Sequence, residues 1–261
     1  MSFKLISGVS GLDKNNNYNK YTKDPNNCGE DSFFICDNII GIADGVGGWS
    51  NINTLPKVNS AHVARGCMKY AKEYCNIYKQ NHPHDALTYA YSSVILDDTI
   101  DGGSSTVTIM NFDQEQNILH TTQLGDSSYA IIRDNKLFAF FTQNNEQLNN
   151  IPYRSILTAP KQLAKVPKRC KYIKPIQSTP EEAISRKHIL KENDIIILAS
   201  DGLWDNIYDD DFIDVIDSFF KNNENNFIDV NDMAEHLVYY ARYYNKKPDD
   251  ITVIVSIITK K

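Results

Sequence analysis

Cysteine pairs, basic charge and long apolar runs are all scarce in this sequence, and each shortage removes a class of protein. The five cysteines (Cys28, Cys36, Cys67, Cys75 and Cys170) form no CxxC and are odd in number, which supports neither a zinc knuckle nor a disulfide framework. They read as reduced thiols, several of them in the core. Lys and Arg number 27 against 33 Asp and Glu, a net charge of −6. A general nucleic-acid binder would carry a basic face, so no nucleic-acid partner is expected. No apolar run approaches the length of a membrane span. The N-terminal MSFKLISGVSGLDK lacks the apolar region of a secretory signal and the arginine-rich length of an organellar transit peptide. The chain as written is expected in the cytoplasm or nucleus, or in mitochondria if a leader has been removed. Six histidines are scattered, and those of the HPH at 82–84 have no partners at metal-ligand spacing. Neither a P-loop nor the kinase signature set is present, which argues against a nucleotide-dependent transferase.

What the chain does have is enough apolar residue (41%) for a sizeable core, arranged mostly in short or alternating runs. The runs predict strands over 3–9, 32–36, 38–43, 104–112, 117–124, 127–133, 136–142, 194–200 and 251–259. Turn residues at Asp113, Gly125-Asp126 and Asp134-Asn135 suggest antiparallel hairpins and meanders. Helical spacing of apolar residues predicts helices over 60–79, 85–97, 210–221 (with Asp209 or Asp210 as N-cap) and 231–244, each with one face to bury. Two helix pairs set between groups of strands argue for an α+β sandwich, two packed sheets with helices outside. The proline-bearing segment 143–188 is read as irregular. The tyrosines of 239–244 are expected to pack along a helix face. Trp49 and Trp204 are expected to plug the core behind two Asp-Gly turns.

The acidic residues repeat one device. IADGVGGW (42–49) ends an apolar run in Asp44, with Gly45 next. IILASDGLWD (196–205) does the same with Asp201. GEDSFFI (29–35) puts Glu30 and Asp31 before a strand, LGDSSYAII (124–132) puts Asp126 in a turn, and PDDITVIV (248–255) puts Asp249 and Asp250 at a strand start. One such aspartate is a turn; five at strand ends can converge on one edge of a sandwich. Two carboxylates about 4 Å apart repel by roughly 4 kcal/mol at an effective dielectric of 20, so a converged set must protonate or recruit cations. Oxygen ligands without imidazole or thiolate favour Mg²⁺ or Mn²⁺ over zinc. Two such ions can acidify a water and direct it at phosphorus. From the residues alone, metal-dependent phosphoester hydrolysis leads.

The ordered set GEDSFF, ADGVGGW, GSSTV, LGDSSY, ASDGLWD and PDDITV resembles the metal-dependent protein phosphatases of type 2C, in the branch that spells ADGVGGW, and runs from about residue 3 to 259. The resemblance implies a single catalytic domain over 1–261 with a variable flap at 143–188. Its fold would be a four-layer α-β-β-α sandwich with the metal site at one edge. It implies hydrolysis of phosphoserine and phosphothreonine in protein substrates by water or hydroxide bridging two Mg²⁺ or Mn²⁺ ions. Carried across by position, Asp44 would bridge both ions, and Glu30 and the Gly45 carbonyl would complete the second. Asp201 and Asp249 would hold the first. Asp31 would orient a water from behind the ligands, with Asp205 and Asp250 as supports. Asp126, with Asp201, matches the place where some members hold a weaker third ion. Gly103, Ser104 and Thr106 belong to a structural strand motif.

Two positions depart from the family pattern. Asn26 stands where many members have a phosphate-binding arginine, with Lys23 the nearest cation upstream, and Val46 stands where many have a histidine that could serve as general acid. The ADGVGGW branch shares the second departure. Beside the active phosphatase stand two other readings: a pseudophosphatase kept as a binding module, and a small-molecule phosphoesterase. The basic stretch KQLAKVPKRCKYIK (161–174) is either a solvated loop or a dock for acidic or phosphorylated substrates through Lys168, Arg169 and Lys171.

Overall fold

Strands buried on both faces need apolar residues at every position, and the centre of this fold is built that way. A computed structural model describes residues 2–15, 21–51, 59–78, 82–100, 102–142, 156–158, 178–207, 209–222, 228–244 and 246–261. In chain order the elements are β1 (Phe3–Leu12), β2 (Ser32–Cys36), β3 (Ile39–Ala43), α1 (Ser60–Ile77), α2 (Pro83–Leu96), β4 (Gly103–Ser105), β5 (Val107–Asp113) and β6 (Ile118–Leu124). There follow β7 (Ser128–Arg133), β8 (Lys136–Phe141), β9 (Ile156–Thr158), β10 (Ile184–Ile189), β11 (Ile195–Ala199), α3 (Asp201–Trp204), α4 (Asp209–Asn222), α5 (Val230–Tyr244) and β12 (Ile251–Lys260). One antiparallel sheet runs β1-β12-β11-β7-β8 and a second β10-β6-β5-β3-β2, with β4 and β9 paired separately.

Three apolar layers hold the sandwich together. Ile196, Leu198, Ile254 and Ile258 of the first sheet meet Ile40, Ile42, Met110 and Leu119 of the second between the sheets. The alternate residues Ile195, Ile197, Val253 and Val255 face Val215, Phe219, Leu237 and Val238 of α4 and α5. On the other side Ile39, Ala43 and Ile109 face Val63, Cys67, Leu87 and Ala90 of α1 and α2. The α-β-β-α layering expected from the sequence is therefore present. The Asp134-Asn135 hairpin has positive φ at both residues (53° and 59°), the backbone a two-residue turn requires.

Two local expectations need correction, and one short helix was not foreseen. The single strand expected at 104–112 is two, because Thr106 leaves the ladder to bond the Asp44 amide and the Ser127 hydroxyl. The segment 143–188, expected to be irregular, carries β9 and β10. β10 is an edge strand whose alternate residues are half-buried and exposed, so its sequence ISRKHI shows only weak apolar alternation. α3 is a single helical turn, too short to show a period. At the rim of the first sheet the Arg133 guanidinium grips the Asp194 carboxylate through Nε at 2.8 Å and Nη2 at 2.6 Å, and Asp194 is 1% exposed. Arg133→Ala is expected to cost about 3 kcal/mol by leaving that carboxylate unpaired, read by urea melts, with metal-dependent activity at low temperature unchanged.

Candidate functional site

Asp44 follows directly on β3, and its main chain is wrapped by the residues that break the 104–112 run. The Asp44 N–H donates to Thr106 Oγ1 (3.1 Å), and its carbonyl accepts from the Thr106 N–H (2.9 Å) and the Ser105 hydroxyl (3.0 Å). The Gly45 N–H reaches the Glu30 carbonyl at 3.2 Å, which ties the β3 end to the segment before β2. A side chain at Gly45 would collide with the Glu30 carbonyl and the Ser60 backbone. Gly29 is required twice over: its φ is +68°, and a Cβ there would run into the Asp250 carboxylate. Trp49 is buried, and its indole N–H donates to Ser104 Oγ at 2.7 Å. Val46 is buried as well, its carbonyl taking the Ser60 hydroxyl at 2.7 Å. Ser104 and Thr106, expected to be structural, carry these bonds to Trp49 and Asp44, and Gly103, at φ +129°, packs against Ser60.

The other acidic positions come to the same edge. Asp201 and Asp205 lie at either end of α3, directly after β11, while Asp249 and Asp250 precede the neighbouring strand β12. Asp126 sits between β6 and β7. Ser200 links the two sheets: its hydroxyl donates to Asp31 Oδ2 (2.8 Å) and accepts the Thr252 N–H (3.1 Å). Burial, then the neighbouring carboxylates of Asp201, Asp31, Asp126 and Asp249, hold the Asp44 carboxyl well above the usual range. Burial, then Asp250, does the same to Asp31. Asp126 is pushed up to about 7, first by burial and then by Asp201. Asp201 rises too, through burial and Asp249, against the opposing Lys247.

These shifts fix a sign. A carboxyl whose folded pKa is raised keeps its proton in the folded state while the unfolded chain releases it. Its favourable contribution is complete below the ordinary value near 3.8 and is lost as pH climbs through about 7 for Asp126. His120, His188 and His236, lowered by burial, pull the other way, so the carboxyl share is read by difference. Relative to Asp126→Asn, the metal-free wild type is expected to lose melting temperature between pH 5 and pH 8, and saturating Mn²⁺ should flatten that difference; calorimetry at matched ionic strength reads both.

Two cations that the sequence reading missed stand among the carboxylates. Lys14 Nζ lies 2.9 Å from Glu30 Oε2, 3.3 Å from Asp250 Oδ2 and 3.5 Å from Asp249 Oδ1. Lys247 Nζ lies 2.5 Å from Asp205 Oδ2, 3.0 Å from Asp201 Oδ2 and 3.9 Å from Asp249 Oδ2. Burial opposes the charge on each, and the surrounding carboxylates outweigh it, so both ammonium groups are held protonated. The only signal in the sequence was adjacency, Lys247 being two residues before Asp249. Asn26, at the family's arginine position, spends its side chain on Asp24. Arg65 reaches the same loop from α1, donating through Nη2 to the Asn26 and Gly29 carbonyls.

Among the described residues no three His, Cys, Asp or Glu side chains close around a single point as they would around an ion; ammonium groups stand between them instead. The donor set nevertheless fits a hard divalent cation at Asp44. Asp201 is the first of the carboxylates that raise Asp44, and Asp31 Oδ1 is buried with no partner among the described residues. No lysine or arginine among the described residues pairs with Asp44, so its carboxyl must either keep a proton or take a cation. Glu30, Asp44, Asp201 and Asp249, with the Gly45 carbonyl, are therefore a coherent oxygen-only set. Beside it opens a cavity of about 230 Å³, with Asp126, Asp201 and Asp205 on one side and Phe140, Trp204 and Phe212 on another. Trp204, expected as a core plug, packs against the core from a half-buried position and also forms part of that wall. Lys168, Arg169 and Lys171 lie outside the described residues, as does Cys170. Of the expected tyrosine packing, Tyr240 and Tyr244 lie against the core while Tyr239 and Tyr243 are exposed.

Residues 163–249 match the family model described as Protein phosphatase 2C. Over 282 aligned residues, covering 99% of this chain and 90% of the relative, the sequence is 26% identical to Protein phosphatase PTC7 homolog of Danio rerio. Among solved structures, the photosystem II phosphatase PBCP superposes with a TM-score of 0.71 at 24% identity, over 97% of this chain and 98% of that one. The catalytic domain of the serine/threonine phosphatase PstP, solved with two manganese ions, gives 0.64 at 18% identity, over 99% and 100%. At these identities the structures establish that the fold is shared.

Proposed function

We propose that this chain, which belongs to the protein phosphatase 2C family, is a metal-dependent serine/threonine protein phosphatase whose site is the carboxylate cluster at the sandwich edge. The observation that carries the reading is Asp44: a main chain fixed by three hydrogen bonds holds a carboxylate among four others, with no cation of its own among the described residues. Glu30, Asp44, the Gly45 carbonyl, Asp201 and Asp249 would hold two Mg²⁺ or Mn²⁺ ions, in keeping with the two manganese ions of PstP. When bound, such a pair supplies an acidified water and positive charge for a phosphoryl group.

The chain's own residues set the rest of the chemistry. Asp31, buried and gripped by Ser200, presents Oδ1, which has no partner among the described residues, as an acceptor that can orient a water proton. Asp250 holds the Glu30 and Lys14 amides and so fixes the direction from which Glu30 enters. Lys14, 29% exposed, offers the phosphate a positive charge at the Glu30 side, where Asn26 offers none. Phosphoproteins are the proposed substrates; no described helix is long and apolar enough to cross a membrane.

Hydrolysis of a phosphothreonine peptide and of an aryl phosphate, with Mn²⁺, Mg²⁺ or chelator, tests the reading. Metal-dependent turnover of both, a strong preference for the peptide, and loss of both in Asp44→Ala are expected. Folded protein without turnover under any ion would overturn the enzyme reading, and a preference for small phosphate esters would overturn the protein substrate.

A further inference from the structure

We propose that the ammonium group of Lys247 takes the place of a third divalent ion in this chain, leaving a centre that binds two ions and not three. The inference rests on the metal-dependent reading above and concerns the acidic group formed by Asp126, Asp201 and Asp205. Lys247 Nζ bridges Asp201 Oδ2 at 3.0 Å and Asp205 Oδ2 at 2.5 Å. Those are hydrogen-bond lengths to nitrogen, and a hard divalent ion would instead draw oxygens in to about 2.0–2.1 Å and demand about six of them.

What distinguishes Lys247 from an ordinary surface lysine is its backbone. The Lys247 N–H donates to Asn206 Oδ1 and its carbonyl accepts from Asn206 Nδ2, both at 2.8 Å. Asn206 is 1% exposed, and Nδ2 is also bonded to the Gly202 carbonyl at 2.8 Å. The clamp therefore grows from the same short stretch, 201–206, that carries Asp201 and Asp205. Pro248 fixes φ at the next residue. A surface ion pair is usually weak because a long side chain must be immobilised to form it. Here the stem starts from a point already fixed relative to both carboxylates, so the ammonium is pre-positioned.

The contrast with Asp44 is the second support. Asp44 has no cationic partner among the described residues, whereas Asp201 and Asp205 share one. A fixed ammonium carries its charge at any metal concentration, so this side of the site is compensated before any ion arrives. Asp201 keeps Oδ1 for the ion it would share with Asp44 and Asp249, while Oδ2 faces Lys247.

Counting bound ions tests the proposal without reference to turnover. The paramagnetic resonance signal of free Mn²⁺ is followed during titration of the wild type, Lys247→Met, Asp205→Asn and the double variant. Two ions per chain are expected in the wild type and in Asp205→Asn. Three are expected in Lys247→Met, the third lost again in the double variant. A third ion in the wild type that Asp205→Asn removes would overturn the proposal. So would Lys247→Met remaining at two while folded by melting temperature. If Lys247→Met does not fold, the Asp205→Asn count decides by itself, loss of an ion being the overturning result. A wild type that binds no Mn²⁺ fails the phosphatase reading and this proposal together, whereas two ions with an unchanged Lys247→Met count fails this proposal alone.

Discussion

Asp44→Asn is expected to lower kcat/KM for a phosphothreonine peptide by about 10⁴–10⁶-fold, a loss of the size seen when one member of a cooperating catalytic set is removed. The same change should raise the melting temperature of the metal-free protein. Asp44 is crowded by Asp201, Asp31, Asp126 and Asp249, and a neutral amide of the same shape removes that repulsion while Thr106 and Ser105 still hold the backbone. Each kcal/mol relieved is worth about 2–4 °C in a domain of this size. In the wild type, Mn²⁺ at a hundred times its dissociation constant stabilises by about 2.7 kcal/mol, and in Asp44→Asn most of that gain should vanish. The pair of opposite shifts, up without metal and flat with it, separates a lost ligand from a damaged fold. A variant that melts lower and still responds to Mn²⁺ would remove Asp44 from the ligand set.

The same physics explains which parts of the molecule could be read from the residues. β3, β11 and β12 are covered by a helix layer on one side and by the other sheet on the other, so IIGIA, IIILA and ITVIVSII announce themselves. α1, α4 and α5 bury one stripe each and show it as helical spacing. β10 is half open, and α3 has one turn; neither imposes enough on its residues to be seen. The carboxylates were legible because an aspartate held at a strand end needs a small or glycine neighbour, as the contacts at Gly29 and Gly45 show. The two lysines were not. Lys14 meets Asp249 and Asp250 from the far end of the chain, and Lys247 is placed by a buried asparagine whose role depends on the fold of 201–206. A flexible four-carbon stem leaves no spacing rule, so charge compensation at this site is visible only in the fold.

Asp250→Ala is expected to weaken Mn²⁺ binding by about 10–100-fold, the range found when a group that orients a metal ligand is removed. Asp250 is 3% exposed, and its two oxygens do separate work: Oδ1 accepts the Lys14 N–H at 2.8 Å and Oδ2 the Glu30 N–H at 2.9 Å. Without it Glu30 loses its anchor, and Gly29, whose left-handed backbone is packed against the same carboxylate, gains freedom. Asp250→Asn should be nearly as damaging, because one oxygen becomes an NH₂ and sets a donor against a backbone donor. Turnover in both variants is expected to recover in large part as Mn²⁺ is raised, since the ligands themselves remain. That recovery is what distinguishes Asp250 from Asp44, whose loss no concentration of metal should repair. Unaltered Mn²⁺ affinity in folded Asp250→Ala, measured calorimetrically, would show that Glu30 is positioned by something other than this clamp.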